Sequence, residues 1–373
     1  MPQVRRDSVA FTVVVTVAVL IGAALMLGLL ALAGAPGTVL LATAFAAVPV
    51  GPLVATYLWL DRYEPEPKSM LVAGLLWGAF VATAAAILVS GVGGLVVGVT
   101  EEQSLAVVAP VTEEATKGLF LVLLLWWRRA ELDGILDGLV YAGMVGIGFA
   151  FTENILYLAA AYDGTDGIGP GGIEGVTGTF VLRCLISPFA HPLFTAFTGI
   201  GIGIAVGSRS GAVRVLAPLG GYACAVVAHG IWNGSTLVGT DAFFLVYGVL
   251  MLPVFVGLIV LAVWSRSFER RMLTAALQDA ARRELIPATD IGWVVDLGAR
   301  RLARRHARER GGPDAERAMV DFQQAAVELG FLHHRMLRGT PPRDWQARGQ
   351  ELVARIQVAR PWFAFPGQVV PQR

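Results

Sequence analysis

Long apolar runs separated by short polar connections dominate the first 265 residues of the chain. Eight of these runs reach about 20 residues, the length that a helix needs to cross the hydrocarbon core of a bilayer. They lie at approximately 10–34, 37–60, 69–90, 104–127, 134–161, 177–206, 213–239 and 243–265. The pattern predicts an all-α, polytopic membrane helix bundle of about eight transmembrane helices. The first run is too long for the apolar core of a signal peptide, so we interpret it as a span.

The pattern changes after residue 265, where apolar residues recur at helical spacing between arginine-rich stretches. Met319, Phe322 and Ala326 mark one such apolar face in the segment 314–338, which is typical of packed helices. The sequence therefore predicts two domains, a transmembrane domain at 1–265 and a small, basic, cytoplasmic helical tail at 266–373.

Composition supports this division. The chain is 55% hydrophobic and only 15% charged, as expected of a membrane protein. From Arg266 onward there are 19 Lys and Arg against 12 Asp and Glu, so the tail carries +7 although the whole chain carries +1. We expect this basic tail to meet anionic lipid at the inner leaflet of the bilayer, and we expect no nucleic-acid partner.

Lysine and arginine occupy alternate connections between the spans. Basic residues occur at Arg5/Arg6, Arg62/Lys68, Arg128/Arg129, Arg209/Arg214 and Arg266, whereas the connections near 35–37, 91–103, 162–176 and 240–242 contain none. Because basic loops stay on the cytoplasmic side, the pattern predicts a multi-pass protein of the cell membrane with both termini cytoplasmic. The glycine-rich stretch 91–103 is either a loop or an extension of the third helix.

Few groups inside the spans are able to do chemistry, and they lie at similar depths. They are Glu113, Glu114 and Lys117 in the fourth span, Glu153 in the fifth, His191 in the sixth and His229 in the seventh. A charge at the centre of a spanning helix costs about 2.5–3.5 kcal/mol on insertion scales, so such groups are usually functional. At 1.5 Å per residue, Glu113, Glu153 and His229 lie roughly 12–15 Å from the outer ends of their helices. His191 lies roughly 21 Å in from Thr177, and less if its helix enters the bilayer after that residue. The sequence therefore predicts one polar layer shared by four helices.

Spacing within the fourth helix predicts that its charges meet. Lys117 follows Glu113 by four residues and Glu114 by three, so its ammonium group can reach both carboxylates. Adjacent glutamates point about 100° apart on a helix, so one can face the bundle interior while the other faces a neighbouring helix. Two further pairs share a helix face at a spacing of four, Phe149 with Glu153 and His229 with Asn233.

Carboxylates and imidazoles in a dry cavity suit the activation of water. A glutamate in a low dielectric acts as a general base near neutral pH, and a histidine or asparagine donor stabilises an oxyanion. Alternatively, glutamate and histidine from several helices bind zinc with an open coordination position. Arg183, near the outer end of the sixth span, either snorkels outward or faces this layer.

The residues of this layer resemble the motifs of the PrsW family of intramembrane proteases, which are related to the CAAX prenyl endopeptidases and their bacterial relatives. Four motifs occur in order on successive spans: Glu113-Glu114-Ala115-Thr116-Lys117, Phe149-Ala150-Phe151-Thr152-Glu153-Asn154, Pro188-Phe189-Ala190-His191-Pro192 and His229-Gly230-Ile231-Trp232-Asn233. The resemblance covers approximately residues 40–265 and leaves the tail outside.

The resemblance implies an intramembrane endopeptidase. The implied catalytic residues are Glu113, Glu114, Lys117, Glu153, His191 and His229, supported by Phe149, Asn154 and Asn233. Candidate metal ligands are Glu114, Glu153, His191 and His229, with zinc as the candidate metal. Family members are described as metalloproteases or as glutamate proteases, so both mechanisms stay open here. Either Glu113 or Glu114 is the general base, and the other orients it or binds metal.

The implied partner is a membrane-protein substrate, of which an anti-sigma factor is a plausible type by resemblance. The main alternative is an ion- or proton-coupled transporter, because intramembrane glutamate, lysine and histidine also form ion relays. A third interpretation makes the membrane body a scaffold that presents the basic tail to a partner.

Overall fold

A computed structural model describes residues 9–32, 34–164, 170–342 and 344–368, and within these ranges the chain forms helices and no β-strand. Seven of the described helices are long and apolar enough to cross a membrane, which confirms the predicted polytopic helix bundle. Together with the helix that carries Glu113, they are α1 (Val9–Leu32), α2 (Pro36–Leu60), α3 (Lys68–Gly93), α4 (Ala109–Trp127), α5 (Ile135–Asp163), α6 (Gly172–Gly207), α7 (Gly211–Val238) and α8 (Thr240–Arg282).

Helix α4 is the remaining predicted span, and it contains three charged residues in 19 positions. The stretch before it resolves the ambiguity at 91–103. Helical structure continues to Val97, Gly98 takes a positive φ of 68°, and a new helix starts after Thr100. The Thr100 hydroxyl accepts a hydrogen bond from the Gln103 amide (3.2 Å), and the Gln103 side chain accepts one from the Thr100 amide (3.1 Å). This capping box starts a helical segment at Glu101, a few residues before the predicted position 104. The segment passes through a π-helical stretch at Ser104–Val108 and continues directly into α4.

Helix α5 is the most enclosed of the spans and packs against α2, α3, α4 and α6. Glycines allow its close approaches. A Cβ at Gly148 would lie 1.9 Å from the Leu75 carbonyl oxygen of α3, and one at Gly146 would lie 2.7 Å from the backbone of Pro192 in α6. Small residues at such interfaces let helix backbones pack closely in a membrane protein. Gly146 thereby brings α5 directly against the residue that follows His191.

Helix α6 is interrupted, whereas the sequence predicts one uninterrupted span over 177–206. It begins earlier, at Gly172, passes through a π-helical segment at Val181–Ile186, and loses helical structure from Ser187 to Phe189 before resuming at Ala190. Pro188 has no amide hydrogen to donate, and both the Ser187 amide and the Ser187 hydroxyl bond the Leu182 carbonyl (3.0 and 2.7 Å). The break places His191 in the first turn of the second half of α6.

The chain divides into two compact units. The larger contains α1 to α7 and the part of α8 up to Ala262, and the smaller contains Asp61–Pro65 and the chain from Val263 onward. The predicted domain boundary at 265/266 and the cytoplasmic position of both termini stay predictions, and Arg5 and Arg6 lie outside the described residues.

The smaller unit is helical, and its internal boundaries differ from the sequence pattern. Helix α8 continues to Arg282 instead of ending near 265, because residues 266–282 contain neither glycine nor proline. The following helices are α9 (Ile291–Val295), α10 (Leu297–Arg338) and α11 (Trp345–Ala359). Helix α10 is kinked at Gly312, whose φ is 71°. Met319, Phe322 and Ala326 are fully buried, as predicted. The Arg300 Nη1 donates to the Tyr63 carbonyl oxygen (3.0 Å), which links the 61–65 loop to this unit.

Candidate active site

Helix α4 brings three ionisable side chains into contact inside the larger unit. Glu114 and Lys117 are completely buried, and the Glu113 side chain is 11% exposed. The Lys117 Nζ lies 2.9 Å from Glu114 Oε1 and 3.3 Å from Glu113 Oε2, which confirms the contacts predicted from the spacing. The ammonium group also lies 3.7 Å from the centre of the Phe149 ring, a cation–π contact. One buried cation therefore holds two adjacent carboxylates.

His191 of α6 binds a carboxylate of α5 through one ring nitrogen. Its Nε2 lies 2.7 Å from Glu153 Oε2, and its Nδ1 lies 3.0 Å from Lys117 Nζ. A carboxylate accepts hydrogen bonds and an ammonium group donates them. The neutral ring therefore carries its proton on Nε2 and turns the Nδ1 lone pair towards Lys117 and Glu113.

His229 of α7 contacts its carboxylate through the other ring nitrogen, Nδ1. Its Nδ1 lies 3.0 Å from Glu114 Oε1, and its Nε2 lies 3.8 Å from Glu113 Oε2. The ring stacks on Phe194 with a centroid separation of 4.6 Å. By the same argument the neutral ring carries its proton on Nδ1 and turns the Nε2 lone pair towards Glu113.

Two imidazole lone pairs and one carboxylate thus converge. Glu113, His191 and His229 each offer a ligand atom, and these atoms lie within 4.8 Å of one another. The outer nitrogen of each ring is bonded to a separate carboxylate, Glu114 for His229 and Glu153 for His191. Metal-binding histidines almost always have such a partner, because it fixes the tautomer and the ring orientation. Two histidines and one carboxylate are also a set of protein ligands that catalytic zinc uses. Here the Lys117 ammonium group lies 3.0 Å from His191 Nδ1 and 3.3 Å from Glu113 Oε2.

The converging set differs in part from the candidate ligands proposed from sequence. His191 and His229 belong to both sets. Glu114 and Glu153 contact the outer ring nitrogens, whereas Glu113 is the third residue of the converging set. Sequence spacing leaves the choice between the adjacent glutamates open, because it depends on the rotation of α4 relative to α7.

Arg183 faces this group and does not snorkel outward. Its Nη2 forms an ion pair with Glu153, its Nε donates to Asn154 Oδ1 (2.8 Å), and its guanidinium carbon lies 3.9 Å from the centre of the Tyr157 ring. Arg183 sits in the π-helical segment of α6, and such segments are frequent at functional sites. The buried polar group thus contains three carboxylates, two cations and two imidazoles: Glu113, Glu114, Glu153, Lys117, Arg183, His191 and His229.

The three residues predicted to support the site, Phe149, Asn154 and Asn233, each contact a different partner. Phe149 contacts Lys117, and Asn154 contacts Arg183. Asn233 donates from Nδ2 to the Leu105 carbonyl oxygen (3.1 Å). Thr195 is not among the residues predicted from sequence, yet its hydroxyl donates to Glu114 Oε2 (3.2 Å). A threonine in an apolar span carries no distinguishing signal.

A cavity of about 250 Å³ adjoins this group in the larger unit. Polar residues on its wall include His191, Asn154, Arg183 and Asn233, and apolar ones include Leu105 and Trp232. His191 connects the cavity to the converging ligand atoms. The cavity can therefore accept part of a peptide beside these atoms.

Known proteins similar to this chain match the part that builds the site. The sequence model of the PrsW family of intramembrane metalloproteases matches residues 66–258, which is about half of the chain and includes every residue of the group. A curated protein named Protease PrsW, from Geobacillus kaustophilus (strain HTA426), is 32% identical over 161 residues, covering 42% of this chain and 64% of that protein. The match thus spans slightly less than two thirds of the relative, and no solved structure matches the chain. The extent of the family match shows that this chain belongs to the PrsW family of intramembrane metalloproteases.

Proposed function

We propose that this chain is an intramembrane endopeptidase that hydrolyses peptide bonds of membrane-protein substrates. The observation that carries the proposal is the convergence of Glu113, His191 and His229, with each histidine oriented by its own carboxylate. Family membership supports a peptidase and gives no support to the alternative of an ion-coupled transporter.

We further propose zinc as the metal and Glu113, His191 and His229 as the residues that hold it. Three carboxylates against Lys117 and Arg183 leave a net charge of −1 when both histidines are neutral, which favours binding of an additional cation. Bound zinc would supply Lewis-acid polarisation of the scissile carbonyl group and of the attacking water.

The surrounding residues orient and neutralise the reacting groups. Glu114 fixes the tautomer of His229 and is itself held by Lys117 and Thr195. Glu113 binds Lys117 through Oε2, and its Oε1 has no hydrogen-bond partner among the described residues. Oε1 is therefore available to accept the proton of the attacking water and to return it to the leaving amine, as a general base and acid do.

We also propose a type of substrate, an orientation in the membrane and a lipid contact for the tail, each from the sequence. The calculated depth of the polar layer favours cleavage of single-span proteins near their extracellular side, with both termini of the enzyme in the cytoplasm. The exposed arginines of α10, such as Arg301, Arg305 and Arg308, favour contact of the tail with anionic lipid.

The proposed activity is tested with purified full-length chain reconstituted with single-span protein substrates. Wild-type chain should cleave them, and Glu113→Gln should abolish cleavage while the chain remains folded. Glu174→Gln is the matched control, because it makes the same change at an exposed glutamate. Undiminished cleavage by Glu113→Gln would contradict the proposal.

A further inference from the structure

We propose that Arg183 is a specificity-determining residue that binds an acidic side chain of the substrate close to the scissile bond. This inference rests on the proposed peptidase function and adds a substrate class to it. The contacts of Arg183, the charge of the cavity wall and the partners of Asn233 support it.

The guanidinium group of Arg183 is held rigidly while part of it remains available. Nη2 is paired with Glu153, Nε is bonded to Asn154, and the Tyr157 ring covers one face. Nη1 has no hydrogen-bond partner among the described residues, and 22% of the Arg183 side chain is exposed. Two N–H groups are therefore free to bind an acceptor, on a side chain whose conformational entropy is already largely lost.

The charge of the residues that line the cavity favours an acidic side chain of the substrate at Arg183. Among the described residues that line the cavity, Arg183 is the only one with a formal charge at neutral pH. The negative charge of Glu153 is shared between Arg183 and His191. An incoming carboxylate thus meets a cation among uncharged wall residues, and a charge-assisted hydrogen bond is roughly twice as strong as a neutral one. A lysine or arginine of the substrate would meet a like charge in the same place.

Asn233, which lines the same cavity, offers a complementary acceptor. Asn233 donates from Nδ2 to the Leu105 carbonyl oxygen, which fixes the amide and leaves Oδ1 without a partner among the described residues. Oδ1 can accept a hydrogen bond from a backbone amide of the substrate. An extended peptide would then be held by its backbone at Asn233 and by one acidic side chain at Arg183.

The test uses a library of single-span peptides with amidated C-termini and four randomised residues in the outer juxtamembrane segment. Amidation ensures that every carboxylate in the randomised region comes from a side chain. Full-length chain in lipid vesicles cleaves the library, and mass spectrometry of the products gives the residues around each cleaved bond. We expect Asp and Glu to be enriched about tenfold over Asn and Gln at one fixed position, with Lys and Arg depleted there.

Variants connect this preference to Arg183. Arg183→Gln should reduce the ratio of Asp and Glu to Asn and Gln to about one, whereas Arg183→Lys should restore part of it because the charge is kept. Thr236→Val is the matched control, since Thr236 is uncharged and lines the same cavity. The ratio of Asp and Glu to Asn and Gln cleaved by this variant should equal that of wild type.

Two results would overturn the inference: equal cleavage of acidic and amide sequences by wild type, or an undiminished ratio in Arg183→Gln. The wild-type comparison needs no variant, so the inference stays testable even if Arg183→Gln does not fold. Absence of any cleavage by wild type would instead contradict the proposed function itself, and this inference with it.

Discussion

The Nδ1 of His229 lies 3.0 Å from Glu114 Oε1, and this contact determines which ring nitrogen faces the centre of the site. Because Nδ1 donates to Glu114, Nε2 faces Glu113 with its lone pair. His191 presents its Nδ1 instead, because Glu153 binds its Nε2. The two histidines therefore use different nitrogens, and each depends on a different carboxylate for its orientation.

The variant Glu114→Gln should weaken zinc binding without removing a proposed ligand. The amide is isosteric but lacks the charge that favours a protonated Nδ1 on His229, and loss of such a partner typically costs 10–100-fold in metal affinity. Competition with a chromophoric zinc chelator measures the affinity of the full-length chain. Glu174→Gln serves as the control, and an affinity equal to wild type in Glu114→Gln would refute the orienting role of Glu114.

Lys117→Met should destabilise the zinc-free chain by about 3–5 kcal/mol, because it leaves two buried carboxylates without their cation. Added zinc should recover part of this loss, since a metal at Glu113 neutralises the same charge and ligand binding stabilises the folded state. Thermal unfolding of the full-length chain with chelator and with zinc measures both effects. An equal loss of stability under the two conditions would show that Lys117 and the metal do not act on the same carboxylates.

The sequence predicts the helical class, the buried layer and the meeting of four spans, because hydropathy and residue spacing determine these features. It cannot predict which ring nitrogen meets which glutamate, since that depends on helix rotations set by packing at positions such as Gly146 and Gly148. The interruption of α6 is also missed, although Pro188 marks it, because proline is tolerated inside many spans. The position of Arg183 follows from that interrupted helix and so stays open in the sequence. The tail shows the same limit, since its pattern of apolar residues does not reveal that the 61–65 loop packs with it.

Gly148→Ala should disturb the packing that positions Glu153. Its Cβ would lie 1.9 Å from the Leu75 carbonyl oxygen, which is backbone and cannot move aside alone. Overpacking of this kind typically costs 1–3 kcal/mol, so we expect a lower unfolding temperature and reduced cleavage. Gly91→Ala, where no atom lies within 4 Å of the added Cβ, should leave both unchanged. Equal behaviour of the two variants would contradict the close approach of α3 and α5.

Asp296 should stabilise the start of α10 in a pH-dependent way. The Ala299 amide donates to Asp296 Oδ1 (2.8 Å), and this bond lowers the pKa of the Asp296 carboxyl below its ordinary value. Because the folded-state pKa is lowered, the stabilisation is present above the ordinary value of about 3.9 and is lost as the pH falls through the lowered pKa. Asp296→Ala should cost about 1 kcal/mol at pH 7.

Hydrogen exchange of the amides at residues 297–300 in the full-length chain measures this effect. Exchange in Asp296→Ala should be faster than in wild type at pH 7, and the difference should shrink as the Asp296 carboxyl becomes protonated. Glu309→Ala, at an exposed glutamate within α10, is the control and should not change exchange at these amides. A difference that persists undiminished at low pH would exclude the ionised carboxylate as its cause.

The metal content of the purified full-length chain, measured together with the chelator sensitivity of cleavage, tests whether Glu113, His191 and His229 hold a catalytic metal. We expect about one zinc per wild-type chain, loss of cleavage when a chelator removes it, and recovery when zinc is returned. His229→Ala should retain little metal. Full cleavage by metal-free wild-type chain would contradict a site in which Glu113, His191 and His229 hold a catalytic metal.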